Sequence, residues 1–354
     1  MPIVVNTNSS ATTASFNLSS ANEALRKSLA RLSSGKRIVS PADDAGGLAV
    51  AYKMASKLNR TEAVRSNVQN GISYLQVQDG ALTSVGKILD RMAELRTMAQ
   101  DVTKNTQDIE NYSKEFIELQ RQLQQVKNES FNGISLFADS QASSVPNPGV
   151  GELSPNLNKA SIANDEGVMV TRFSRTLYTN PSGQAVDGSV SIGVTNLQHV
   201  LSLGSLDSRY LTTASATAVT AAAGTDGLLN LGNVNSLNDD DLGGAGNAAF
   251  DEIYTSDGFL KSIMFVSVGQ FTAAIERLAD VRAENGAEQS RLNMTNELLI
   301  QNQTNLEAAH GRIMDADVAL ESTRFARHNV LVQASAAMVA QANQLTSIAL
   351  SVLG

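Results

Sequence analysis

Read in steps of seven from Phe271, the sequence gives Leu278, Asn285, Leu292, Leu299, Leu306, Ile313 and Leu320. Asn285 is polar, and every other rung is large and apolar. A seven-residue apolar repeat held this long predicts a helix that supercoils against others. Proline is absent from Phe271 onward, so nothing forces a break. From Leu278 to Ile313 the helix would run roughly 50 Å. An ordinary globular core cannot bury such a helix, which needs partners of similar length.

Two partners are legible. Val68, Leu75, Leu82 and Leu89 recur at seven, as do Ile88, Leu95 and Val102. A break near Lys104-Asn105-Thr106 leads to a further helix with Ile109, Phe116 and Leu123 at seven and Leu119 and Val126 beside them. It ends at the turn signal Ser130-Phe131-Asn132-Gly133. Nearer the N-terminus, Leu18, Leu25 and Leu32 mark a shorter amphipathic helix that Gly35 stops. After the turn at Ser40-Pro41, Asp43 and Asp44 are placed to cap the next helix.

Charge separates the chain into parts. Residues 1–22 carry none, and neither does VLVQASAAMVAQANQLTSIALSVLG, from Val330 to Gly354. Gln333, Gln341, Asn343 and Gln344 make the latter too polar for a membrane span. A charge-free helix is expected inside something: a globular interior, or a body built from copies of the same chain. The net charge of −8 comes from the middle, where residues 138–262 hold 13 acidic and 5 basic side chains. The middle also holds Pro146, Pro148, Pro155 and Pro181, and alternating Val190, Ile192 and Val194. Val168, Val170 and Phe173 suggest a second strand, so this part reads as a β-rich insert.

Catalytic signatures are missing. The sequence has no HExxH, Walker glycine loop, GxGxxG or GxSxG, and only three histidines: His199, His310 and His328. His310 and His328 are expected to be solvated. Cysteine is absent, which removes disulfides and thiolate chemistry. The acidic turn Asn238 to Gly244 lacks the spaced ligands of a calcium loop. No cofactor, metal site or enzymatic activity is expected, and no basic patch invites nucleic acid. MPIVVNTNSS lacks the n- and h-regions of an ordinary cleaved secretory signal.

These segments resemble bacterial flagellin. At the N-terminal end the resemblance rests on NTNSSATTASFNL, LARLSSGKRIVSPADDAGGLAVA, NGISYLQVQDGAL and ESFNGISLF. At the other end it rests on SRLNMTNELLIQNQTNLEAAHGRIMDADVALE and the charge-free C-terminus. The resemblance covers about residues 1–137 and 266–354. It implies a mainly α fold: a long-helix coiled-coil bundle formed by both chain ends, with a β-rich inserted outer domain. The expected divisions are 1–44 with 318–354 as an inner terminal helical domain, 45–137 with 263–317 as the bundle, and 138–262 as a variable outer domain dispensable for the shaft. The implied function is a structural subunit that self-assembles into the flagellar filament. A hook–filament junction protein, or a filament subunit with an enzymatic insert, are the alternatives.

The resemblance further implies export by the flagellar type III apparatus and an extracellular location. Implied partners are further copies of the chain, cap and hook-associated proteins, and an export chaperone. Leu18, Leu25, Leu32, Val330, Met338, Leu345 and Leu350 are the candidate assembly residues. Arg91, Leu95 and Glu115 match positions through which flagellins contact a host flagellin-sensing Toll-like receptor. Ala93 stands where receptor-binding members usually carry arginine.

Overall fold

The computed structural model describes residues 8–138, 157–163, 169–184, 188–203, 231, 253–255 and 259–353. The chain divides into two compact units, Met1–Glu62 with Ile300–Gly354, and Ala63–Leu299. The helices are α1 (Ser9–Ser34), α2 (Ala45–Ala99), α3 (Thr106–Lys127), the single turn α4 (Leu197–Val200), α5 (Val268–Met314) and α6 (Val318–Leu353). The strands are β1 (Ser130–Phe131), β2 (Ile134–Ser135), β3 (Phe137–Ala138), β4 (Leu157–Ala163), β5 (Met169–Tyr178) and β6 (Ser189–Asn196).

In the first unit α1 pairs with α6. Gly35, at φ 67°, ends α1 in the left-handed region where a Cβ is disfavoured. The chain then crosses the turn between α5 and α6. The Arg37 amide donates to the Met314 carbonyl at 2.6 Å, and the Ala316 amide to the Gly35 carbonyl at 2.9 Å. Ile38, Ala51 and Met314 close a small core beneath this crossing.

A turn separates α5 from α6 although no proline forces a break there. The Asp317 carboxylate accepts the Leu320 amide at 3.0 Å and so caps a new helix. The α5 carbonyls of Ile313 and Met314 are taken by Arg37. Leu320, counted as a rung, is therefore exposed.

A correction concerns the Asp43–Asp44 pair. Asp44 accepts the Gly47 amide at 2.8 Å and is the capping residue. Asp43 instead accepts the Val39 and Ser40 amides and the Lys27 ammonium, closing the turn behind it. These donors, Lys27 foremost, hold the Asp43 carboxyl down at about 2.

In the second unit the heptads of α2 and α5 meet. Val68, Leu75, Leu82 and Leu89 share one core with Phe271, Leu278, Leu292 and Leu299. Phe116 of α3 meets Phe271 edge to face, with ring centroids 6.3 Å apart. The polar rung Asn285 is also buried; its amide donates to the Leu75 carbonyl and to Gln78 Oε1, each at 3.2 Å. Val102 departs from the expected stripe. α2 ends at Ala99, and Val102 is 99% exposed in the turn that follows. Asn105 and Asp108 then form a capping box that starts α3.

Asn132 and Gly133 both have positive φ, 52° and 76°, and turn the β1–β2 hairpin. A four-stranded sheet follows in the order β3-β6-β5-β4, with β3 parallel to β6 and the other pairs antiparallel. Val190, Ile192 and Val194 are buried, as their alternation predicts. Val170 and Phe173 lie in β5, while Val168 and Asn238–Gly244 fall outside the described residues. The sheet is not a separate body. Val190 and Ile192, with Leu197, Val200 and Ile253, belong to the same core as Leu75 and Leu278.

Candidate assembly interface

Among the α1 residues turned at least partly away from solvent, one series is spaced three and four apart: Ala11, Ala14, Leu18, Ala21, Leu25, Ser28 and Leu32, with Asn22, Ala24, Ala30 and Arg31 flanking it. On α6 the matching series is Glu321, Phe325, His328, Val332, Ser335, Val339 and Ala342. Each is a two-per-heptad stripe, the pattern of a two-stranded seam. Hydrogen bonds and charges fix the direction as antiparallel. The Asn8 side-chain amide donates to the Ala342 carbonyl at 2.8 Å, while Arg31 lies 4.0 Å from Glu321 near the other end. Asn8 also caps α1, accepting the Ala11 amide at 3.0 Å.

The α1 half of the sequence prediction falls in this seam, since Leu18, Leu25 and Leu32 are half-buried there. Of the α6 half, Val330 and Met338 do not. Val330 and Met338 are each 64% exposed, and Leu331 is exposed beside them. Leu345 and Leu350 lie on α6 with side chains outside the described part. The α6 residues that do pair were missed because the charge-free stretch begins only at Val330. Their signal was present in Phe325, Val332 and Val339, which recur at seven.

One end of the seam is charged. Glu321 is buried, with Arg324 at 3.4 Å and Arg31 at 4.0 Å from the same oxygen. Its other oxygen and the Arg31 Nε make no hydrogen bond. His328 was expected in solvent; it is half-buried, and its Nδ1 faces the interior unpaired.

The three receptor candidates separate. Arg91 donates to Glu115 at 2.7 Å and to Glu94 at 3.1 Å on the exposed side of α2 and α3. Glu115 first, then Glu94, hold its guanidinium above its ordinary basicity. Leu95 is fully buried in the core. Buried in this way it offers no surface to a partner, which corrects its placement among the contacts.

The second unit contains a buried cation that no motif announced. Arg96 is fully buried, and its Nε donates to the Val266 carbonyl at 2.6 Å. It ties α2 to the segment entering α5. No group of three or more metal-ligating side chains lies among the described residues. No helix of the described residues is long and apolar enough to cross a membrane.

Two chain ends that return to pair as helices, with apolar side chains left over outside their seam, define a helical structural subunit. The bacterial flagellin N-terminal helical region matches residues 5–142, and the flagellin C-terminal helical region matches residues 268–353. The chain is 31% identical over 334 residues to a flagellin of Bacillus subtilis (strain 168), covering 92% of each chain. It is 29% identical over 383 residues to flagellin A of Vibrio anguillarum, covering all of both. The crystal structure of Bacillus cereus flagellin aligns with 69% of this chain and 94% of that one, at 20% identity and a TM-score of 0.35.

This chain belongs to the bacterial flagellin family. It is a structural subunit of the flagellar filament, an extracellular appendage of motility, and the family is one of self-polymerising structural proteins.

Proposed function

We propose that the paired terminal helices are the part of this subunit that builds the filament, and that the outward face of α6 is where it meets a second copy. Leu18, Leu25 and Leu32 prepare that face from within, by holding α1 against α6. Val330 and Met338 carry it outward, with Leu345 and Leu350 continuing the helix toward its end. The observation behind this reading is the exposure of Val330, Leu331 and Met338 on a helix with no charge after His328. Apolar side chains there gain about 1.5–3 kcal/mol each when a neighbour covers them fully. A second copy brings the same charge-free surface and has no charge to desolvate.

On this reading residues 1–44 with 318–354 form the inner shell, residues 45–137 with 263–317 the next, and residues 138–262 face outward. Export through the flagellar type III apparatus, capping at the tip, contact with hook-associated proteins and custody by an export chaperone belong to the same proposal. Arg91 and Glu115 are the proposed contact for a flagellin-sensing Toll-like receptor. Such a receptor must compete with Glu94 and Glu115 for the Arg91 guanidinium.

Seeded elongation of Val330→Gln tests the assembly face. A polar amide buried without a partner costs about 1–3 kcal/mol, so elongation is expected to slow by tenfold or more while helicity and the unfolding midpoint hold. Elongation at the parent rate would remove α6's outward face from the contact.

A further inference from the structure

Methionine is the apolar residue whose side chain oxidants convert most readily to a polar one. Its distribution here is uneven. Met92 and Met314 are buried, and Met54, Met98 and Met264 are half-buried. Among the described side chains only two are open: Met294 on α5, 67% exposed, and Met338 on α6, 64% exposed. Their settings differ. Met294 has Arg291 and Glu297 one turn to either side. Met338 lies in the stretch from Val330 to Gly354, where there is no charged side chain. The seam with α1 passes through Ser335 and Val339, so Met338 can change polarity without disturbing that pair.

We propose that Met338 is an oxidation site at which peroxide blocks subunit addition. The inference rests on the reading of the outward face of α6 as the contact with a second copy. The sulfur lone pair attacks one oxygen of the peroxide, the O–O bond breaks, and the oxygen stays on sulfur as a sulfoxide. The thioether is oxidised, and hydrogen peroxide is reduced to water. The product places a strong acceptor on a surface that must lose its water when a second copy docks. No lysine or arginine within three helical turns on α6 can satisfy that acceptor. Once a subunit is in place its sulfur is covered, so the block acts on free subunits and spares the finished shaft. Reduction of the sulfoxide reverses it.

The test treats the full-length protein with hydrogen peroxide and measures sulfoxide at Met338 and Met294 by peptide mass spectrometry. Seeded elongation is then followed. Wild type and Met294→Leu are expected to lose about tenfold to a hundredfold in elongation rate, the loss expected for one unsatisfied polar group in a contact. Met338→Leu keeps its rate after the same treatment, and methionine sulfoxide reductase restores the wild type. Wild type that is fully oxidised at Met338 yet elongates at its untreated rate overturns the proposal. So does a treated wild type that the reductase fails to rescue. Untreated Val330→Gln separates the two ideas. If it elongates normally, the assembly face itself is wrong. If it is blocked while oxidised wild type elongates, the face stands and the oxidation site falls.

Discussion

Asp43 carries a load that its neighbour Asp44 does not. It receives Lys27 from α1 and two amides from the turn that follows. Its folded carboxyl sits near 2, below the ordinary 3.8. A carboxyl depressed on folding stabilises fully above its unfolded value and loses that contribution as pH falls. The turn between α1 and α2 is therefore expected to loosen between about pH 4 and pH 2. Amide exchange at Val39 and Ser40 reads this directly, because both donate to Asp43. Asp43→Asn should exchange faster at neutral pH and lose the acid dependence, and equal protection in the two proteins would break the argument. Asn285 makes a second case at this scale. As a polar rung it was visible in the sequence. Its partners were not, because Leu75 and Gln78 lie two hundred residues away on another helix. Asn285→Leu strands the Gln78 and Gln289 side chains that bond it. A loss of about 1–3 kcal/mol in denaturant unfolding is expected. No loss would mean that water fills the place of the amide.

Periodicity made the helices legible and hid where one of them stops. The heptad runs through Ile313 and formally on to Leu320, with no proline or glycine at the break. What ends α5 is a long-range event, Arg37 taking the Met314 carbonyl, together with a local one, the Asp317 cap of the next helix. Only the Asp317 cap is a local signal, and the apolar count outweighed it. The pairing of α1 with α6 was half legible for a related reason. Absence of charge points to a buried side, yet the seam begins at Glu321, before the charge-free stretch, and much of it is alanine and serine. Such a seam has little apolar area to hold it beyond Leu18, Leu25, Leu32, Phe325, Val332 and Val339. It is expected to be the first part of the chain to open. A truncated chain from Ala45 to Asp317 should remain helical and monomeric, and should not elongate on seeds. Filaments from that chain would mean that assembly does not need the terminal pair.

At the scale of the whole molecule, composition drew a boundary where packing does not. The stretch from 138 to 262 is acidic and rich in turn residues, so it reads as an insert that could be cut away. Yet Ile192 touches the position of Gly71 on α2. A Cβ added there would come within 3.1 Å of both Ile192 and Leu177. Glu288 of α5 accepts the Gly193 amide with both oxygens, at 2.9 and 3.0 Å. Alternation at Val190, Ile192 and Val194 revealed a strand with one buried face, but a strand's sequence cannot say what buries it. Here the long helices do so on one side. Deleting residues 141–257 would therefore strip Val190, Ile192, Leu197 and Val200 from the core that also holds Leu75 and Leu278, rather than release a separate domain. The expected result is a large drop in the unfolding midpoint and poor elongation, in place of a thinner but stable shaft. The single substitution Ile192→Ala isolates the packing, at about 2–5 kcal/mol for a buried isoleucine. Gly71→Val approaches the same contact from the helix side and should cost about 1–3 kcal/mol through overpacking. If the deleted chain unfolds at the parent's midpoint, and both substitutions are silent, the sheet adds nothing to the core it lies against.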